Sequence, residues 1–407
     1  MSPPSSICSD KNQSIASIAH QGSWLAILSV ALSAFALVTG EFLAVGVLNE
    51  IAHDFQISIG TAGWTVTITA ITGMFSALLI PLSAKSLDRR YLLLILMLIM
   101  VVANLLTALA SNFTLVLLGR FLLGISIGGF WATAVALSGR VAPAHLPIAK
   151  ATALVASGVT LASVLGVPIG TWLSHYSSWR TAFMIITVMG IILFFMQLRY
   201  LPQLKPSSAL QLKELPVLIR HPIARKGWII FIFIGLAHFA AYSYFAPFFK
   251  FQLGYADGFI SSLLLIFGVS GILGNAFAGY MGQINIRYTF AFAGIAFAMS
   301  FLCLPLFAIH TTAAIILTAL WGFAWGIIPT AVNIWMFVHA PEAVEKGMPM
   351  ITFTFLILIA LGSGLGGVIV DYFNSNVLLF GVLPLALFSI LLIFTLARGI
   401  NNPIIKS

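Results

Sequence analysis

A chain of 407 residues that is 60% hydrophobic and only 7% charged, with mean hydropathy +1.09, excludes a water-soluble globular domain and reads as a polytopic membrane protein. A net charge of +9 would suit a nucleic-acid binder, but the basic residues alternate with apolar runs, as loops beside a bilayer do, so no nucleic-acid partner is expected. Two cysteines, Cys8 in a polar leader and Cys303 in an apolar run, supply neither a disulfide framework nor a metal cluster.

Residues 1–21 are polar and Ser-rich, lack an apolar signal core, and read as a cytoplasmic tail. Runs long enough to cross about 30 Å of hydrocarbon, at about 20 residues each, follow near 24–48, 59–84, 91–111, 113–137, 149–174 and 181–198. Six more lie near 227–249, 258–282, 289–309, 313–337, 349–371 and 378–397. The longest polar interval, 199–226, reads as a cytoplasmic linker between an N-terminal six-helix bundle, 22–198, and a C-terminal one, 227–398; residues 399–407 form a second tail. The expected fold class is therefore an all-α membrane protein of twelve transmembrane helices in two six-helix bundles.

With the N-terminus inside, sixteen Lys and Arg fall on the inner side, Arg180 and Lys250 on the outer, and Arg120 within a span. That asymmetry predicts cytoplasmic termini by the positive-inside rule, and Trp24, Trp228, Trp64 and Trp179 at span ends suit an interfacial belt. Asp371, Glu50 and Asp54 at outer ends read as solvated. The halves echo each other weakly: Gly63-Trp64, Gly73 and Arg89-Arg90 reappear as Gly258-Phe259, Gly268 and Arg287. Six plus six helices with parallel similarity is the pattern of transporters that rock about a midplane site.

Two enzyme-like patterns are rejected. Gly124-Ile-Ser126-Ile-Gly128 and Gly362-Ser-Gly364-Leu-Gly-Gly367 need a strand-to-helix turn for their chemistry, yet both lie inside apolar helices, where small residues let backbones approach. No catalytic machinery, cofactor motif or metal-ligand cluster is visible.

Glu41 and Arg120 carry the chemistry. A charge at membrane depth costs roughly 2.5–3.5 kcal/mol and normally faces a bundle interior or an aqueous path with a partner. Counted from the span ends at Leu48 and Phe113, both lie about 10 Å below the outer surface at 1.5 Å per residue, hence level. They are predicted to pair while the carboxylate is ionised, so that protonation of Glu41 frees Arg120 and acts as a proton switch; the competing reading is a static pair. In span 5, Gly158, Gly166, Pro168 and Gly170 would bend the helix and permit close contact with another at a moving interface. Trp131, His238, Tyr242, Tyr244, Asn275, Trp321, Trp325 and Asn333 offer flat faces with scattered donors and acceptors, a cavity wall for a neutral polyol, a nucleoside or an amphipathic drug.

The segment Leu118-Gly-Arg120-Phe-Leu-Leu-Gly124 resembles the arginine motif of the major facilitator superfamily, and Gly166-Val-Pro168-Ile-Gly170 resembles its antiporter motif. The loop Pro81-Leu-Ser-Ala-Lys85-Ser-Leu-Asp88-Arg89-Arg90 departs from the usual GxLaDrxGrr, although Arg89 and Arg90 remain as the conformational residues of that loop. Thr39-Gly-Glu41-Phe42, Gly129-Phe-Trp131-Ala and the segment Ala237 to Phe248 are similar to bacterial sugar efflux transporters of the arabinose-exporter type. The purine nucleoside exporters share the features of spans 1 and 4. The resemblance implies a monomeric inner-membrane antiporter, not an enzyme, that exports sugars or sugar-like molecules against protons, with nucleoside or multidrug export as the alternative and a non-transporting receptor or scaffold as the reading from another class.

Overall fold

In hydrocarbon no water satisfies backbone N–H and C=O groups, so apolar runs of this length close their hydrogen bonds internally as helices. The computed structural model describes residues 22–396 apart from 84–86, 144–145, 147–150, 152–153, 156, 159–160, 205–219 and 340. The two predicted tails and the middle of the predicted linker lie outside the described residues. The first half holds α1 (Trp24–Gly46), α2 (Ile59–Ser83), α3 (Arg89–Ala108), α4 (Phe113–Val141), α5 (Val167–Tyr176) and α6 (Trp179–Tyr200). The second holds α7 (Pro222–Tyr242), α8 (Asp257–Gly282), α9 (Ile284–Phe307), α10 (Thr311–His339), α11 (Pro341–Tyr372) and α12 (Ser375–Leu396). Eleven of these are long and apolar enough to cross a membrane. The predicted fifth span runs partly through residues outside the described set, and a π-helical stretch, Ala162–Gly166, precedes α5.

Polar residues set the helix starts by accepting N–H groups that have no intrahelical partner. Ser23 caps α1 through Ala26 N at 3.1 Å, and Asn112 caps α4 through Leu115 N at 3.0 Å. Asp88 receives Arg90 N at 2.8 Å and Leu204 N at 2.9 Å, so α3 begins at Arg89, two residues before the expected start. The basic pair that reads as loop by composition thus becomes the first turn. Asn285 (φ −156, ψ 98) breaks the run between α8 and α9, and its Oδ1 takes the N–H of Arg287 and of Tyr288.

The starts of α1 and α3 and the ends of α4 and α6 share one face, here the terminal face: Ser23 N–H donates to Val141 O at 3.1 Å, and Arg90 reaches Leu198 O at 2.6 Å. Side chains on the lipid-facing surfaces are large and apolar, such as Leu98 (49% exposed) and Ile192 (62% exposed), which water would not tolerate and a bilayer requires. Trp24 and Trp64 are exposed as a belt expects. Trp179 instead is buried and donates to Asp54, and Trp228 donates to Thr354.

At the far face the acids are not simply solvated. Burial alone would raise the Asp54 carboxyl, but hydrogen bonds from Arg180 and Trp179 and the positive charge beside it hold it below the usual carboxylate range. Asp371 at the end of α11 accepts Ser58 Oγ at 2.6 Å and Gly60 N at 2.7 Å, joining the halves across the start of α2. Lys250 lies between Asp257 (2.8 Å) and Glu50 of the first half (3.8 Å). Deeper along the same seam Ser363 Oγ donates to Gly63 O at 3.1 Å, and a Cβ on Gly63 would stand 2.0 Å from the Tyr244 hydroxyl.

Candidate functional site

Below that seam the halves enclose a cavity of about 500 Å³, within the roughly 300–1,000 Å³ usual for small-molecule sites. Its wall draws on α1, α4, the π-helical stretch, α7, α8, α10 and α11, and is mainly apolar and aromatic. Of the residues singled out by sequence, Glu41, Trp131, His238, Tyr242, Asn275 and Trp325 line it. A helix repeats every 3.6 residues, so one face of each span reaches the cavity. Glu41 and Val38 are such a face on α1, and His238 and Tyr242 are such a face on α7.

Glu41 is 7% exposed, and among the described residues its Oε1 has no hydrogen-bond partner. Arg120 is 1% exposed and does not reach the cavity. Its guanidinium donates to Gly40 O at 2.8 Å, Thr107 Oγ1 at 3.2 Å and Asn104 Oδ1 at 3.4 Å, and lies 4.5 Å over the Phe183 ring. No ion pair joins it to Glu41, which corrects the expected direct pairing. The two spans do place the acid and the base side by side, since the carbonyl that Arg120 holds belongs to the residue before Glu41. Sequence depth gave the level; helix rotation points the carboxylate to the cavity and the guanidinium into the α1–α3–α4–α6 packing.

The aromatic wall centres on His238. Its ring stacks on Trp325 with centroids 3.7 Å apart and planes at 7°, and lies near-parallel to Tyr242 at 5.2 Å and 20°. Trp321 Nε1 donates to His238 Nδ1 at 3.2 Å. Also on the wall, Asn275 Oδ1 accepts Thr330 Oγ1 of α10 at 2.6 Å, which leaves its amide N–H groups for other acceptors.

Three predicted wall residues lie elsewhere. Tyr244 sits in the far-face seam with its hydroxyl on Ser363 O at 2.8 Å, because the break after Tyr242 turns it away from the His238 face. Trp321 is buried behind His238 and Trp325, and Asn333, two turns beyond Trp325 on α10, does not line the cavity. Gly158 and Gly166, ahead of α5, and Gly170 within it bring this part of the chain onto α1 within one half: an added Cβ would meet Ala31 O at 2.2 Å, Thr39 at 3.1 Å and Leu43 Cδ1 at 1.7 Å. Pro168 lacks the N–H that an α-helix would use there, and the π-helical stretch before it takes up the irregularity. Contact with the other half is made by α5 itself, on the 257–307 run, and by Val164 before it, against Gly268 of α8. Arg89 is buried and Arg90 bonds within its own half, to Leu198 O.

Sequence reading missed the contribution of α11, Ile351, Thr352, Phe355 and Leu356, and of Phe239 and Phe267. Apolar residues of a membrane span carry no chemical mark that separates cavity from lipid. The available signal was Gly268, whose echo in Gly73 lies likewise at the seam, 3.7 Å from Leu356 by its added Cβ.

Comparison with known proteins agrees with this architecture. The family model described as Major Facilitator Superfamily matches residues 30–348. The chain is 30% identical over 372 residues to the purine ribonucleoside efflux pump NepI of Salmonella enteritidis PT4, covering 91% of this chain and 92% of that protein. The pump of the same name from Salmonella typhimurium LT2 is 30% identical over 351 residues, covering 86% and 88%. Among solved structures, a bacterial homolog of the human lysosomal transporter Spinster, in an inward-facing and unoccupied conformation, superposes with TM-score 0.69 at 14% identity, covering 94% of this chain and 98% of that one.

Proposed function

This chain belongs to the Major Facilitator Superfamily, a multi-pass transporter related to efflux pumps, and on that premise we propose that it exports purine ribonucleosides, or flat sugar-bearing molecules of that size, in exchange for protons. The observation that carries the substrate is the wall of parallel rings, His238 on Trp325 with Tyr242 alongside, in a cavity that Asn275 also lines. A planar base stacks on such faces, and a ribose finds the few amide, hydroxyl and carboxylate groups. The relatives at 30% identity are named for that substrate class. A free pentose, the substrate that the α7 segment suggested, would use this wall only through a C–H face and would leave much of its ring surface uncovered.

The proposed work is divided as follows. Two bundles, 22–198 and 227–398, rock about the cavity, with both termini and the linker 199–226 in the cytoplasm of a bacterial inner membrane. Asp371, Ser58, Gly60, Lys250 and Glu50 close the outward side, so the cavity loads from the cytoplasm. Glu41 takes a proton when the cavity faces outward and releases it inward; Arg120, fixed on Gly40 O, keeps a positive charge near the carboxylate in either state.

A panel of labelled inosine, arabinose and a cationic dye, offered to inverted vesicles with a proton gradient, tests this. Inosine accumulation is expected. Arabinose alone would move the assignment to sugar export, dye alone to drug export, and no counterflow of any substrate in liposomes would favour a non-transporting receptor or scaffold.

A further inference from the structure

His238 faces the cavity, yet its chemistry is set from behind. The Trp321 indole N–H can only donate, so the His238 Nδ1 that lies 3.2 Å from it must be the acceptor. The ring proton of the neutral imidazole therefore sits on Nε2. Among the described residues Nε2 has no hydrogen-bond partner. Trp321 is 1% exposed, does not line the cavity, and is locked edge-on against His238 (77°), Phe267 (85°) and Phe301 (78°). The imidazole itself is clamped by its stack on Trp325. His238 is itself only 1% exposed but lines the cavity, so a ring held by two indoles, one fixing its plane and the other its tautomer, keeps one group, Nε2–H, unspent within the protein beside the ligand space.

We propose that Trp321 is a positioning residue that fixes His238 as a hydrogen-bond donor through Nε2–H, and that this donor selects bases with an acceptor at N7, as in a purine. The inference rests on the nucleoside reading above and adds a preference within that class. The arrangement also argues against His238 as a proton carrier: a proton on Nδ1 would displace the indole bond. The coupling role stays with Glu41.

The test is competition between inosine and 7-deazainosine, which lacks the N7 acceptor, for counterflow in proteoliposomes. The wild-type protein prefers inosine about five- to tenfold, the range of one net hydrogen bond. Trp321→Phe keeps the bulk but frees the tautomer, so the half-saturation for inosine rises by a similar factor at nearly unchanged maximal rate, and the preference falls toward one. His238→Gln sets an amide N–H where Nε2–H stands and retains much of the preference; His238→Asn, whose amide reaches only the Nδ1 position, loses it. In the His238→Gln background Trp321→Phe has no further effect, because no tautomer remains to be fixed. Retained preference in Trp321→Phe, equal behaviour of the two His238 variants, or an undiminished Trp321→Phe effect in the His238→Gln background would overturn the proposal. So would a wild type that moves both nucleosides alike, and that result leaves nucleoside export standing; a wild type that moves neither removes both. If Trp321→Phe does not fold, as judged by elution in detergent, the two His238 variants decide.

Discussion

At Glu41 the polypeptide places a carboxyl in a wall made mainly of rings and aliphatic chains, with Oε1 unpartnered among the described residues. A group so placed has something to gain from protons or from substrate. Glu41→Gln keeps the shape and removes the titration: the protein should fold, exchange substrate in counterflow, and lose accumulation driven by a pH gradient. A variant that still accumulates substrate against its gradient would end the coupling assignment. Arg120 is held differently, by three acceptors and a ring face. Arg120→Lys keeps the charge but cannot span Gly40 O, Thr107 and Asn104 together, and hydrogen bonds from a charged donor are each worth about 1.5–3 kcal/mol. We expect a loss of about 2 kcal/mol or more, seen as a lower midpoint in thermal unfolding in detergent, whatever the substrate.

Among the elements, α1 does most to shape the site, because it touches α5 on one side and the cavity on another. The glycines of α5 and of the residues before it set how closely α1 is approached: an added Cβ at Gly158 would overlap Ala31 O at 2.2 Å. Overpacking of this kind costs typically about 1–3 kcal/mol. Gly158→Leu should therefore destabilise the first half and displace Glu41, giving weaker substrate affinity at retained pH dependence; unchanged affinity would show that α1 is positioned by its other neighbours. α3 tests a local rule. Asp88→Ala removes the acceptor for both Arg90 N and Leu204 N, and loss of an N-cap costs about 0.5–2 kcal/mol, readable as faster hydrogen exchange in the first turn of α3 and in residues 201–204.

For the molecule as a whole, the far-face contacts decide which side of the cavity is shut. Asp371 accepts two hydrogen bonds from the start of α2, and its carboxylate also meets the positive end of that helix. Asp371→Ala leaves Ser58 and Gly60 without this partner. Its loss should shift the equilibrium toward a form open at the far face by on the order of tenfold, or ~1.4 kcal/mol. Spin labels placed on the loops before α2 and after α11 should then report a longer, broader distance; an unchanged distribution would mean the helix packing below holds the face shut unaided.

What could be read from one dimension was whatever hydrocarbon imposes locally. The length of each apolar run, the loops marked by basic residues, and the expense of an acid and an arginine at one depth follow from the bilayer's thickness and polarity, which act on each segment alone. Eleven of the twelve runs appear as membrane-length helices, and Glu41, His238, Tyr242 and Trp325 meet at one cavity. Folding in three dimensions decided partners. Arg120 took a backbone carbonyl instead of Glu41, Tyr244 went to the seam, Asp371 became an inter-half contact, and plain residues such as Ile351 and Phe355 became wall. The reason is rotational: each residue turns a helix by about 100°, so a side chain's depth is set by counting while its facing depends on how the helices pack.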